Sequence, residues 1–176
     1  HNLENFEILI IKDDHLDYQF NCELEYSDSV KVIKNPGKIG KGSSVKYGLS
    51  KSKSDIICVI DSDNSLSTED IVKACLNYQK GTFLYGLRIF DNSTEKIRRI
   101  LSILQNFLAN LISLDYFIQD TQCPLKIMDN KIAEILLDNL TVSGGMYDVQ
   151  QFRIVQKKKI NSVVHPIIRV DEERSI

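Results

Sequence analysis

The sequence predicts a single α/β domain with a mainly parallel sheet. Three observations carry that expectation. Apolar runs of strand length alternate along the chain with segments whose apolar residues recur at helical spacing. The run Ile56–Ile60 is unbroken and mostly β-branched, as in a strand covered on both faces. A length of 176 residues suits one domain with a sizeable core.

From the N-terminus, Phe6–Ile11 reads as a strand that ends in Lys12-Asp13-Asp14-His15. Val30–Lys34 reads as a second, short strand. Pro36 and the glycines 37, 40 and 42 then mark a loop that needs unusual backbone angles or close approach. Lys38 and Lys41 sit in that loop, where they suit a phosphate, although the spacing is not that of a P-loop. A helix over 43–51 should place Val45 and Leu49 against the sheet. The strand from Ile56 ends in Asp61-Ser62-Asp63. Ser67 is placed to cap a helix with Ile71, Ala74, Cys75 and Tyr78 on one face, and Gly81 closes it.

Phe83–Gly86 is the next strand and leads to Arg88. The longest helix is expected over 95–113, with Ile97, Ile100, Leu101, Leu104, Phe107, Leu108 and Leu111 as its apolar stripe. Lys96, Arg98 and Arg99 open it, where the helix dipole favours acids. They read either as a solvated face or as an anion-facing one. A polar stretch 118–126 turns apolar through Met128. Asp129 or Asn130 caps a helix with Ile132, Ala133, Leu136 and Leu137. After Gly144-Gly145, a helix carries Val149, Phe152 and Val155 to about Lys158. Val163–Ile168 is the last strand, and 169–176 is a charged tail that bounds the domain 1–168.

Composition narrows the function. A net charge of -2 gives no reason to expect nucleic acid. Cys22, Cys58, Cys75 and Cys123 form no C-x-x-C pair, so reduced thiols in a cytosolic setting are expected rather than a disulfide frame or zinc site. His1, His15 and His165 lack metal-ligand spacing. No stretch is long and apolar enough to span a bilayer, and no signal peptide is visible. The Asp-x-Asp after Ile60 supplies hard oxygen ligands at the carboxyl end of a strand, where open α/β sheets bind ligands. Its alternative is a solvated strand-to-helix turn in which one Asp acts as a cap.

In this order the segments resemble the family 2 glycosyltransferases of the GT-A fold, most of all the branch that makes dolichyl-phosphate sugars. Five stretches carry the likeness: Phe6–Asp14, Asn35–Gly48, Asp61-Ser62-Asp63, Asp120-Thr121-Gln122-Cys123-Pro124-Leu125-Lys126 beside a D-T-Q-C-G-F-K pattern, and Tyr147-Asp148-Val149 with His165-Pro166-Ile167. The resemblance implies a Rossmann-like three-layer sandwich whose first strand, ending in a P-x-Y-N-E-like turn, is missing here. Pro124 replaces a Gly, Gln150 a Glu and His15 a Gly, which implies an altered acceptor or weakened activity.

It further implies metal-dependent, inverting transfer of a hexose from a nucleotide sugar, UDP-glucose before GDP-mannose, to a polyprenyl phosphate. The setting would be the cytoplasmic face of a membrane, with no bearing on oligomeric state. Asp61 and Asp63 would hold Mg²⁺ or Mn²⁺. Asp13, Asp14, Lys41 and Asp61 would hold the donor. Arg88, Lys126 and Arg174 would hold the acceptor phosphate, and Asp148 would be a base or orienting carboxylate. Arg88 also reads as a partner of Asp91, Lys126 as a snorkelling side chain, Asp148 as an N-cap and Asp13 as a turn residue. Two other functions remain open: transfer to a glycan hydroxyl, or a non-catalytic nucleotide-sugar binding or scaffold domain.

Overall fold

A computed structural model describes residues 6–13, 29–36, 40–63, 65–89, 96–113 and 117–168. The strands are β1 (Ile8–Asp13), β2 (Val30–Asn35), β3 (Ile56–Val59), β4 (Thr82–Ile89), β5 (Lys126–Asp129) and β6 (Asn161–Ile168). The helices are α1 (Lys41–Lys51), α2 (Thr68–Leu76), α3 (Lys96–Ser113), α4 (Asn130–Asn139) and α5 (Tyr147–Lys157). The expected charged tail, Asp14, His15, Asp91 and Arg174 lie outside the described residues.

β1 and β2 form a parallel pair, with Ile8 opposite Val30 and Asp13 opposite Asn35. The other four strands form a second sheet in the order β3-β5-β4-β6. β4 and β6 are parallel over their whole lengths. β5 runs antiparallel to both of its neighbours. Three strands of this sheet therefore share one direction and one is reversed. The reversed strand occupies an interior position, so its four residues are all buried.

Strand alternation divides the core into two layers, as a period of two requires. Phe83 and Tyr85 of β4, Met128 of β5 and Ile57 of β3 point to one side, among Leu49, Ile132, Leu136, Phe152 and Val155. Phe152 meets Phe83 and Tyr85 edge to face, with ring centroids 5.6 and 4.9 Å apart. Leu84, Ile127 and Ile167 point the other way, with Ala74, Cys123 and Leu125. Cys58, Ile71 and Tyr78 close that layer.

Local chemistry sets the helix starts. The Ser67 hydroxyl accepts from the Asp70 amide at 3.1 Å, so α2 is capped as its sequence predicts. Asp129 caps α4 by accepting from the Ile132 amide at 3.0 Å, and its other oxygen accepts from Gly81 N at 2.8 Å. One carboxylate thus starts a helix and fixes the turn before β4. α5 begins at Tyr147, with Met146 as its cap residue. Asp148 lies inside the first turn and is not the N-cap.

α3 departs from the expected orientation. Of its expected apolar stripe Leu104, Phe107, Leu108 and Leu111 are exposed, as is Ile103, while the side chains of Ile97, Ile100 and Leu101 lie outside the described residues. Its inward face carries Asn106, Ala109 and Asn110. Asn106 Nδ2 donates to the carbonyls of Ile118 and Gln119 at 3.1 and 2.8 Å. Asn106 Oδ1 accepts from the Thr121 amide and hydroxyl at 2.9 and 2.8 Å. Asn110 Nδ2 donates to Ile118 O at 2.9 Å, and its Oδ1 accepts from Ile118 N. Helical periodicity alone does not say which face is turned to the protein.

Candidate functional site

The site gathers where β3, the loop before β5, the start of α1 and the start of α5 meet. Gly40, at φ 128°, turns the chain into α1. Asn35, buried at the end of β2, donates to the Ser43 and Ser44 hydroxyls at 3.3 and 3.2 Å and ties that turn to the strand. Gly42 lies against 142–143 and Tyr147. A Cβ there would stand 2.5 Å from Val142 O and 2.8 Å from Tyr147 Cβ, so a side chain would push α1 away from α5.

That close approach places Lys41 between two carboxylates. Its Nζ donates to Asp61 Oδ2 at 3.0 Å and lies 3.1 Å from Asp148 Oδ2. Burial alone would lower this ammonium, but Asp148 and then Asp61 outweigh it and hold the group above its ordinary value. The other oxygen of Asp148 pairs with Lys126, which is 1% exposed. Asp148 is itself 2% exposed, so a buried carboxylate is neutralised from two sides. Tyr147, next to it, is fully buried. Burial first, and then Asp148 and Asp61, push its phenol well above its usual range.

A crevice of about 60 Å³ opens beside this cluster, lined by Asp61, Asp63, Ser65, Leu66, Arg88, Gln122 and Pro124. Arg88 lines it from the end of β4. Its guanidinium grips Asp120 through Nε–Oδ2 at 2.7 Å and Nη2–Oδ1 at 2.8 Å. Its backbone N–H donates to the same carboxylate at 3.3 Å, and so does Gln122 N at 3.2 Å. This two-point pairing fixes the plane of the guanidinium at the crevice wall.

Several expected site residues therefore converge: Lys41, Asp61, Asp63, Arg88, Lys126 and Asp148. Lys126 does not line the crevice; it is Asp148's counter-ion. Asp13 ends β1, and nothing is described of its side chain. Asp120 is the partner of Arg88 that the sequence reading did not assign. The two residues are far apart in the chain, and no local spacing could pair them. Gln150, expected only as a lost carboxylate, braces the loop before α5. Its Oε1 accepts from Thr141 N and Val142 N at 3.0 and 2.9 Å, and its Nε2 donates to Thr141 Oγ1 at 2.8 Å. A Glu could not make that last donation. Cys123 is buried, and burial pushes its thiol up to about 11, which argues against a nucleophile.

Asp61 and Asp63 offer oxygen donors at an open mouth, where Asp61 is about one-third exposed at 31% and Asp63 is exposed. Such a set fits Mg²⁺ or Mn²⁺ shared with phosphate oxygens. Among the described residues no group of three or more His, Cys, Asp or Glu forms an all-protein cation cage.

An α/β sandwich with an Asp-x-Asp after a strand and cations around it is the arrangement that the resemblance to GT-A glycosyltransferases implies. The Glycosyl transferase family 2 model matches residues 1–136, and the chain belongs to that family. It is 22% identical over 176 residues to dolichyl-phosphate beta-glucosyltransferase ALG5C of Trichomonas vaginalis, covering 92% of this chain and 52% of that protein. It is 23% identical over 177 residues to the Homo sapiens dolichyl-phosphate beta-glucosyltransferase, covering 88% and 53%. The chain thus spans about half the length of these relatives. Among solved structures, a mycobacterial protein superposes with a TM-score of 0.62 at 14% identity, over 97% of this chain and 58% of that one. Glucosyl-3-phosphoglycerate synthase from Mycobacterium tuberculosis, in complex with Mn²⁺, UDP-glucose and phosphoglyceric acid, gives 0.54 at 17% identity, over 96% and 61%. These two likenesses are of fold.

Proposed function

We propose that this domain transfers a hexose, glucose from UDP-glucose before mannose from GDP-mannose, to a polyprenyl phosphate at a membrane surface, with inversion. One observation carries the reading: a single crevice is lined by Asp61, Asp63 and the Arg88 guanidinium that Asp120 holds. The carboxylates suit a cation-bound diphosphate and the guanidinium suits a second anion. The Trichomonas and human relatives are named for dolichyl phosphate, which supports a lipid-linked anion as acceptor.

In this scheme Asp61 and Asp63 hold the divalent cation, Mg²⁺ or Mn²⁺. When bound, it supplies Lewis-acid neutralisation of the leaving diphosphate. Lys41, already beside Asp61, adds positive charge at the same phosphates. Asp13 and Asp14 contribute to the base and ribose. Arg88 aims an acceptor phosphate oxygen at the anomeric carbon, and Arg174 adds to that grip. The new bond joins that oxygen to the anomeric carbon while the bond to the donor phosphate breaks with its electron pair. A phosphate monoester is already anionic at neutral pH, so no proton needs to leave it. Asp148 then serves as an orienting group: each of its oxygens faces an ammonium, and it holds Lys41 and Lys126 in place.

Calorimetry tests this reading. UDP-glucose and GDP-mannose are titrated with and without Mn²⁺ into this chain and into the Asp61→Ala, Asp63→Ala double variant. We expect UDP-glucose to bind only with metal and the double variant to lose roughly a hundredfold or more in affinity. Binding indifferent to both metal and carboxylates would overturn the assignment. Donor binding with no transfer to a short polyprenyl phosphate would turn it toward a glycan hydroxyl acceptor or a binding domain.

A further inference from the structure

Lys41 sits on a carboxylate that the metal ion also needs. Its Nζ bridges Asp61 Oδ2 at 3.0 Å and Asp148 Oδ2 at 3.1 Å. Asp61 is one of the two carboxylates that suit Mg²⁺ or Mn²⁺, so an ammonium of the protein already engages one of its oxygens. The backbone beneath Lys41 is fixed. Gly42 N donates to Ser143 O at 2.9 Å and Ser44 N donates to Gly40 O at 3.1 Å, while a Cβ on Gly42 would meet Val142 O at 2.5 Å. The start of α1 therefore cannot carry the ammonium away. The side chain can, because Nζ ends a flexible four-carbon stem and the side chain is about one-third exposed at 32%.

The charges around Lys41 give this placement a consequence. Lys41 and Lys126 face Asp61 and Asp148, and Arg88 faces Asp120, so each cation is matched by a carboxylate. Among the described residues Asp63 is the carboxylate of the crevice without an ionic partner; its Oδ1 accepts from Ser65 N at 3.2 Å. The protein's own charges therefore leave the cluster negative by Asp63 alone. A divalent cation by itself turns the cluster positive, in a place where charges are poorly screened. The diphosphate of a nucleotide sugar turns it back. Without the Lys41 ammonium, the same divalent cation would bring the cluster close to neutrality on its own.

We propose that Lys41 is a positioning residue that couples metal to donor: its ammonium competes with the divalent cation for Asp61 until the donor diphosphate enters, and then turns to the phosphates on the tether of Asp148. This rests on the metal and nucleotide-sugar reading above. Metal and donor then bind as a pair, each raising the affinity of the other by the same factor. Asp148 suits the tether because its second oxygen is tied to the buried Lys126, so its charge stays matched while Lys41 moves.

The test is electron paramagnetic resonance of free Mn²⁺, titrated against the full chain with and without UDP-glucose, for the wild type, Lys41→Met and Lys41→Arg. Asp148 keeps Lys126 in both variants. UDP-glucose should tighten Mn²⁺ on the wild type by about tenfold or more. Lys41→Met should bind Mn²⁺ alone about tenfold more tightly than the wild type and, at saturating Mn²⁺, bind UDP-glucose about tenfold more weakly. The opposite signs are the signature, since a lysine that only supports the fold would weaken both when removed. Lys41→Arg keeps the positive charge and should hold Mn²⁺ alone near the wild-type value. Mn²⁺ binding no tighter to Lys41→Met than to the wild type overturns the proposal. So does a wild type that binds UDP-glucose with no change in its Mn²⁺ affinity, a result that needs no variant. Tighter Mn²⁺ on Lys41→Met, with UDP-glucose bound by neither chain, keeps the competition at Asp61 and removes the donor reading. Metal-dependent UDP-glucose binding with no gain of Mn²⁺ on Lys41→Met does the reverse.

Discussion

α2 and α3 carry the same written signature, apolar residues at helical spacing, and turn it in opposite directions. α2 sets Ala74, at 0% exposure, with Ile71 and Cys75 against the sheet. α3 turns two asparagines inward and its leucines out. Periodicity establishes that a helix has an apolar side. What that side meets is decided by its surroundings: a sheet face lies beside α2, while the backbone of 118–121 beside α3 needs amide partners.

Substitution should separate the two helices sharply. Ala74→Asn introduces an amide into a filled apolar site and should cost about 3 kcal/mol in urea unfolding, whereas Leu111→Asn on α3 should stay within about 0.5 kcal/mol. A large loss at Leu111 would show that its face is covered by protein, and the contrast would fail. Asn106→Leu makes α3 more apolar, yet it takes their Asn106 partner from the Gln119 carbonyl and the Thr121 amide, while Ile118 O keeps its bond from Asn110. We expect a loss of about 2 kcal/mol by the same measurement. No loss would mean that these bonds do not hold the helix.

The smallest effect is read from thiols. Cys75, on the inward side of α2, is held below its ordinary value by its hydrogen bond from Cys58. Cys123 lies just past the loop clamped by α3, and burial raises it to about 11 from 9.0. Cys75 should therefore be alkylated well before Cys123 near pH 8, as mapped by mass spectrometry. A thiol raised in the folded state keeps its proton longer than it does in the unfolded chain. The stability tied to Cys123 should thus be intact below pH 9.0 and be lost as the pH rises toward 11.

Local chemistry was legible in the sequence. The strand shortly before Asp61-Ser62-Asp63, the Ser67 cap and the Asp129 cap appear where short-range rules put them. Pairings across long loops were not. Arg88 with Asp120, and Lys41 with both Asp61 and Asp148, join segments that only the tertiary fold brings together. Strand direction was also hidden, because Lys126–Asp129 reads as the same apolar run whichever way it enters the sheet. The bonds of Gln150 to Thr141 and Val142 were hidden for a related reason, because they cross the turn before α5.

The reversed strand has a consequence in time. β5 sits between β3 and β4, yet the chain produces it after both. β3 finds its ladder partner only when Ile56 meets Asp129, after two helices and another strand have been made. Closure over so long a loop is slow, and strand edges wait unpaired in the meantime. During synthesis the acidic turn after β3 thus waits for β5 before its strand is anchored. A chain halted before Lys126 would carry the Asp-x-Asp without the ladder that anchors it.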